Sequence, residues 1–298
     1  MAENIALTSD HIKEAVKALK TLRPVYNEIL DFYEQIFIAQ EESKSHIQIE
    51  PVKIPDDIIS VKAKENFPLI TMSDFVIDTK ASKDLMIQIC NIVKGLKGDM
   101  AVSAQAVLEA IEAEKIDLDS LFYSLFEGGA SFFEKTAGRV EIDKNALAFM
   151  TYSSIKPSLT ISAGQLSTYL NRESTWEKGY CPVCGSLPAL SMFIGEGERF
   201  LFCSFCWHQW SSRRLFCPFC DNTDSKTLNY FYSEEEKEYR VDLCDSCKKY
   251  IKTVDTRQTQ RYIYPPLEAV STLHLDIEAQ KKGFESGVQL GLQIEQDQ

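Results

Sequence analysis

The sequence predicts a multidomain α+β chain: an N-terminal all-α domain, two small rubredoxin-like (zinc-ribbon) metal-binding β-hairpin domains, and a C-terminal helix. Three observations carry this. Eight of the nine cysteines lie between Cys181 and Cys247, as four Cys-x-x-Cys pairs. The pairs fall into two similar units, each with a hairpin-like stretch between its knuckles. Before Cys181 the apolar residues recur at helical spacing, and few segments alternate as strands do. The boundaries expected are 1–172 for the helical domain, 173–212 and 213–264 for the two metal domains, and 265–298 for the C-terminal helix and tail.

In the helical domain, Ser9-Asp10 caps a helix with Ile12, Val16 and Leu19 on one face. Pro24 suits the first turn of the next helix, whose apolar face is Tyr26, Leu30, Tyr33 and Phe37. A linker runs from His46 to Pro55, broken by Pro51 and Pro55. Asp56 to Lys64 forms a short helix ending before Phe67-Pro68-Leu69-Ile70, because a residue preceding proline is pushed out of the α region. Thr79 to Lys94 is helical, with Gly95 and Gly98 punctuating its end. Ser103 to Ala113, Asp117 to Phe133 and a segment from Asp143 follow. Pro157 is expected to kink or divide the last of these before it reaches Leu170.

The cysteine spacing has a mechanical reason. Two residues between cysteines let a tight turn aim both sulfurs at one point, and a second pair returned by a hairpin completes a tetrahedral set. Cys181 and Cys217 both open a Cys-Pro-x-Cys knuckle, followed by Gly185 and Asp221, residue types that tolerate positive φ. Cys206 and Cys247 close knuckles without those residues. Ser191 to Glu196 and Arg199 to Cys203 flank a Gly195-Glu196-Gly197 turn, while Leu228 to Tyr232 and Tyr239 to Leu243 flank an acidic turn, Glu234 to Glu238. The ligand sets expected are therefore Cys181, Cys184, Cys203 and Cys206 for one ion, and Cys217, Cys220, Cys244 and Cys247 for the other. A disulfide framework needs an oxidising compartment, and MAENIALTSD lacks the charged region and apolar stretch of a signal peptide. A redox dithiol explains one pair but not four, and iron–sulfur proteins favour a compact run of cysteines. Two tetrathiolate-bound ions, iron or zinc, are the cofactors expected, and spacing does not choose between the metals.

The 298 residues, 44% hydrophobic, suffice for two or three domains with real cores. No apolar run reaches the roughly 18 residues of a membrane span. Thiol content and the N-terminus lead us to expect a cytoplasmic protein. Net charge is −12, and four thiolates around each divalent ion lower it further. Cations near the knuckles, among them Arg213, Lys248 and Lys249, are offset by Glu196, Glu198 and the Glu234 to Glu238 run, so the basic footprint of a nucleic-acid binder is missing.

Nothing before Cys181 resembles an active site, and no phosphate-cradling, GxSxG or HExxH motif occurs. Cys90 lies among Met86, Ile87, Ile89 and Val93 and is expected to be a buried thiol acting as a small hydrophobe. His11 and His46 are isolated. Phe122, Tyr123, Phe126, Phe132 and Phe133 stand at helical spacing and are expected in the core. Glu127-Gly128-Gly129-Ala130 marks a loosened helix or a close helix–helix contact.

From Trp176 onward the chain resembles the FdhE family of formate dehydrogenase accessory proteins. The resemblance rests on Trp176-x-x-Gly179-Tyr180-Cys-Pro-Val-Cys-Gly-Ser-Leu-Pro188 and on Arg199-x-Leu-x-Cys203-Ser-Phe-Cys206-x-x-x-Trp210-x-x-x-Arg214-x-x-Cys217-Pro-x-Cys220. Leu243-Cys-Asp-x-Cys247-x-x-Tyr250-Ile-Lys252-x-x-Asp255 and the stretch from Glu268 through His274 and Asp276 to Gly283 complete it. Only helical character, Phe67-Pro68-Leu69 and the proline-broken helix agree in the N-terminal half. Asp221 stands where the family more often has glycine. The resemblance implies a cytoplasmic, non-enzymatic maturation factor. Its partner would be the catalytic subunit of a molybdenum- or tungsten-pterin formate dehydrogenase, bound before export. The alternative is a rubredoxin-like electron carrier or redox protein acting on that enzyme.

Four further side chains are candidates for partner contact. Trp210, with Trp207, Phe205 and Phe219, forms either a mini-core joining the ribbons or an aromatic docking surface. Arg214 either neutralises thiolate charge or meets an acidic partner. His274 and Asp276 fall on a C-terminal helix with Leu267, Val270, Leu273 and Ile277, where they fix that helix to a ribbon or face a client. His208 is a spare potential ligand, since eight cysteines already complete two sites.

Overall fold

The computed structural model describes residues 8–126, 130–170 and 176–288. The helices are α1 (Ser9–Leu22), α2 (Asn27–Ser43), α3 (Asp56–Glu65), α4 (Thr79–Lys94), α5 (Asp99–Glu112), α6 (Leu118–Ser124), α7 (Ala130–Arg139) and α8 (Lys144–Leu166). Six strands follow: β1 (Pro188–Ile194), β2 (Glu198–Cys203), β3 (Gln209–Ser212), β4 (Leu228–Tyr232), β5 (Tyr239–Cys244) and β6 (Lys249–Asp255). The described chain closes with α9 (Pro265–Val270), α10 (Leu273–Lys281) and a two-residue strand, β7 (Glu285–Ser286). Helices therefore precede strands, and short helices come last. The step expected between 172 and 173 lies outside the described residues.

The chain divides into two compact units. One is wholly helical and takes Asp31–Val52 and Met72–Ser162. Asp78 caps α4 by accepting from the Ala81 amide at 3.0 Å, and Asp117 caps α6 in the same way. Leu85, Met86, Ile89, Leu121, Phe122, Leu147 and Met150 are fully buried, each contributing about 1.5–3 kcal/mol. Cys90 lies among them with its sulfur 3.5 Å from that of Met150, and burial pushes its thiol up to about 12. The helix expected over Asp117 to Phe133 is instead two: α6 ends at Ser124 and α7 starts at Ala130. The Glu127-Gly128-Gly129 link lies outside the described residues.

Pro157 does not divide α8, which is continuous from Lys144 to Leu166. Proline removes the amide that would bond the carbonyl four residues earlier, that of Ser153. Here the Gln40 side chain supplies the missing donor, its Nε2 standing 2.8 Å from the Ser153 oxygen. Gln40 is buried, so the bond forms away from water, where an orphaned carbonyl would be costly.

Lys156, the next residue back, is also buried, with its Nζ 4.9 Å from the Phe37 ring centre. Burial, with Lys44 adding to it and Glu41 opposing, holds its ammonium down to about 7. The unfolded chain binds this proton up to an ordinary lysine pKa, so stability rises with pH from about 7 to about 10.5. Lys156→Met is expected to stabilise the protein by about 3 kcal/mol at pH 7. It should also flatten that rise, as urea unfolding at pH 7 and pH 10 will show. An unchanged pH profile in the variant would remove the lysine as its source.

The second unit takes Lys53–Thr71 with the described parts of Met1–Leu30 and Ala163–Leu290. Its centre is one sheet in the order β3-β2-β1-β6-β5-β4, with β7 also on β6. The two expected hairpins are β1–β2 and β4–β5, and each gains a third strand after its closing knuckle. The two three-stranded ribbons are then joined: β1 pairs β6 in parallel through Ser191↔Thr253, Met192↔Val254 and Phe193↔Asp255. Alternation sends Leu190, Met192, Phe202, Tyr239, Val241, Tyr250 and Val254 to one face, where Leu275, Ala279 and Phe284 cover them.

The C-terminal helix expected through Leu267 and Ile277 is broken. Thr272 Oγ1 bonds back to the Glu268 carbonyl at 2.7 Å, and such competition with the backbone ladder ends α9 at Val270. After the break α10 buries Leu275 and Ala279, leaving Ile277 54% exposed, so the face inferred from an unbroken helix does not hold. α1 begins one residue earlier than expected, with Thr8 as N-cap.

Candidate metal centres

Each of the four knuckles turns on the same backbone device. The residue after the second cysteine takes positive φ: Gly185 at 78°, Trp207 at 59°, Asp221 at 57° and Lys248 at 57°. Glycine at the first and aspartate at the third were legible, but Trp207 and Lys248 show that the closing knuckles make the same turn with costlier residues. The turn points amides inward. Gly185 N donates to Cys181 O at 2.9 Å, Asp221 N to Cys217 O at 3.0 Å and Lys248 N to Cys244 O at 2.8 Å. The amides of Phe205 and Cys206 both reach Cys203 Sγ at 3.4 Å.

The result is two four-sulfur groups, Cys181/184/203/206 and Cys217/220/244/247, with all sulfurs of a group within 4.8 Å of one another. Sulfur separations are 3.5 Å for Cys184–Cys203, 3.7 Å for Cys184–Cys206 and 3.8 Å for Cys181–Cys206. In the second group Cys217–Cys247 and Cys220–Cys244 both measure 3.7 Å. A tetrahedron with metal–sulfur bonds of about 2.3 Å has edges of about 3.8 Å. The residues therefore fit an ion at each centre, and the pairing of knuckles is the one expected.

The centres differ in exposure. All four cysteines of the first are buried, whereas in the second Cys220 is exposed and Cys247 half-buried. Electrostatics at the first centre fit a cation. Burial pushes the Cys181 and Cys206 thiols well up, while hydrogen bonds from Cys181, Cys203 and Cys206 hold Cys184 well below the ordinary thiol range. Several thiolates cannot share so small an apolar space without a positive ion between them. His208 lies in neither group. Its carbonyl accepts from the Cys203 amide at 3.0 Å, and burial holds its imidazole down to about 4.

Several residues that the sequence offered only as part of the resemblance or as a helix end prove to secure the centres. Leu69 and Ile70 donate their amides to Pro182 O and Val183 O, both at 2.9 Å, so the Phe67-Pro68-Leu69-Ile70 element clasps the first knuckle. Its Pro-containing apolar run was the available signal. Gly179 packs so closely on the second opening knuckle that a Cβ there would lie 1.9 Å from Pro218 O. Trp176 Nε1 donates to Tyr180 O at 2.7 Å, and Tyr180 in turn to Asn66 O at 2.7 Å. Arg199, 3% exposed, donates to the Phe216 carbonyl at 2.7 Å and interacts favourably with the charge of Cys217.

The four candidate contact residues have these places. Trp210 is buried on β3, and Arg214 is exposed with its guanidinium 5.2 Å from the Phe193 ring centre. His274 Nε2 stands 2.7 Å from Glu236 Oε2, and Tyr26 Oη 2.9 Å from the His274 amide. Asp276 accepts from Lys252 at 2.6 Å and Tyr250 at 2.9 Å.

A model of the FdhE central domain matches residues 180–214, the stretch carrying the first centre. The Protein FdhE homolog of Aquifex aeolicus is 29% identical over 273 residues, 90% of this chain and 89% of its own. Protein FdhE of Salmonella dublin is 30% identical over 65% of this chain and 60% of its own. The crystal structure of the FdhE protein from Pseudomonas aeruginosa covers 96% of both chains with a TM-score of 0.66 at 16% identity, which shows a shared fold.

Proposed function

The chain is a relative of the FdhE proteins, and on that premise we propose that it is a cytoplasmic accessory protein for formate dehydrogenase. It binds the catalytic subunit of a molybdenum- or tungsten-pterin enzyme and supports its assembly before export, without catalysing a reaction itself. The observation that carries this is the closed four-cysteine arrangement within residues 180–214. Four sulfurs occupy every position of a tetrahedral ion, which suits a structural centre and leaves no open site for substrate. Each ion, zinc or iron, is held by thiolates alone, and the ribbons it stabilises present the surface a client meets. Of the four candidate contacts, Arg214 is the most accessible.

The test is co-purification with apo and cofactor-loaded formate dehydrogenase, using paired Cys→Ser variants of each centre. Loss of client binding or activation is expected when the first centre is removed. Variants that remain folded and still bind and activate the enzyme would remove the ribbons from the working part.

A second reading, a rubredoxin-like electron carrier, draws support from the exposed Cys220 and half-buried Cys247, since electron exchange requires a centre near the surface. It expects a red, iron-loaded protein that cycles with a reductase. A colourless zinc protein with full client-binding activity leaves only the first reading.

A further inference from the structure

The face of the sheet away from the α10-covered core carries a cluster of guanidinium groups around one ring. Arg240, Arg214 and Arg257 stand 4.4, 5.2 and 5.7 Å from the centre of Phe193, which they cover. Two of them converge on the β1–β2 turn: a Cβ on Gly197 would lie 2.7 Å from Arg257 Nη1 and 3.3 Å from Arg214 Nη1. Behind them Arg199 is buried against Ser191 and Phe216.

Carboxylates in this cluster are fewer than cations. Asp255 takes Arg257 in a two-point pair at 2.7 and 2.6 Å. Asp242 is shared between Arg240 at 2.8 Å and Arg199 at 3.5 Å, and it also accepts from Thr253. Arg214 has no ion pair among the described residues. Arg199 Nη2 and Arg240 Nε are buried without a hydrogen bond. Four guanidiniums thus meet two carboxylates in a chain whose net charge is −12. Like charges held this close repel, and a fixed donor array with spare N–H groups is what an anion neutralises.

We propose that Arg214, Arg240 and Arg257, backed by Arg199, form a binding site for a phosphate group, free or as a phosphate monoester. A dianion with several acceptor oxygens can engage more than one planar guanidinium fork at once, which a single carboxylate does less completely. The exposed Tyr230 and Tyr232 rings lie beside Arg240 and bound the site on one side. The proposal does not depend on the formate dehydrogenase reading.

Calorimetric titration of the metal-loaded full chain with inorganic phosphate and with glycerol 3-phosphate, against chloride at matched ionic strength, tests it. Saturable binding of either is expected, weakened about tenfold by Arg214→Gln and more by Arg214→Gln with Arg257→Gln. Arg214 is exposed, so the single variant should keep wild-type circular dichroism and metal content even if the double does not. No saturable binding overturns the proposal. So does binding that Arg214→Gln leaves unchanged, or tighter binding of a glutamate-rich peptide than of either phosphate compound.

Discussion

A Cys184→Ser chain is expected to lose the ion of the first centre and, with it, the cooperative fold of the β1–β2–β3 ribbon. The ligand is buried and central: its sulfur lies 3.5 Å from Cys203 and 3.7 Å from Cys206. A structural zinc site contributes on the order of 10–16 kcal/mol, comparable with the whole net stability of an ordinary domain, about 5–15 kcal/mol. Because β1 also pairs with β6, the loss should spread into the second ribbon. Cys247→Ser should do less, since that cysteine is half-buried and its centre reaches solvent through Cys220. Metal content by atomic emission and amide exchange strand by strand will separate the two. A chelator should likewise strip the second centre first, at least about tenfold faster than the first. Cys184→Ser protein with a full metal complement and the parent's exchange pattern would show that the first centre does not hold the fold.

Glu268→Ala is expected to cost about 3–5 kcal/mol, far beyond an ordinary surface change. Glu268 is 0% exposed and bonded to Arg261 at 2.6 and 2.8 Å, while Tyr239 donates its hydroxyl to the same carboxylate. The Arg23 guanidinium stands over the Tyr239 ring at 4.2 Å and pairs with Glu236 at 2.5 Å. Glu268 therefore ties α9 to Arg261 and to Tyr239 at the start of β5, and Tyr239 in turn packs under Arg23, which holds Glu236 in the turn after β4. Removing Glu268 leaves the Arg261 charge without its counter-ion and the Tyr239 hydroxyl without its acceptor, although Arg261 still donates to Tyr239 and to the Tyr262 carbonyl. Replacing both members of the pair, as Glu268→Leu with Arg261→Met, should recover most of the loss, because the deficit lies in the orphaned charge. Urea unfolding of the metal-loaded variants measures both. A single variant within about 1 kcal/mol of the parent would mean the network is slack.

The metal ligands were legible because their signal is local. A Cys-x-x-Cys turn, a proline inside it and a residue tolerant of positive φ after it all fall within five positions, so Cys181 to Gly185 announces its own geometry. Helix α4 matches the expected Thr79 to Lys94 to the residue, with Gly95 after its end as read; the Asp78 cap at its start was found only in the structure. Pro157 misled because its cost is local while its remedy, the side-chain amide of Gln40, lies 113 positions from the Ser153 carbonyl that it satisfies. The C-terminal helix misled because Thr272 carries the same periodic pattern across a break that its hydroxyl makes.

By itself, then, the sequence determined which sulfurs gather, how the two opening knuckles turn, and that helices precede strands, since each follows from contacts within one turn or one hairpin. Tertiary structure alone decided that β1 and β6 pair in parallel, that Leu69 and Ile70 clasp the first knuckle, and that Arg199 is buried on the Phe216 carbonyl while Arg214 lies out on Phe193. These contacts join segments tens of residues apart through backbone edges and close packing. Backbone hydrogen bonds are the same for every residue type but proline, so such strand pairings leave little pattern in the residues they connect.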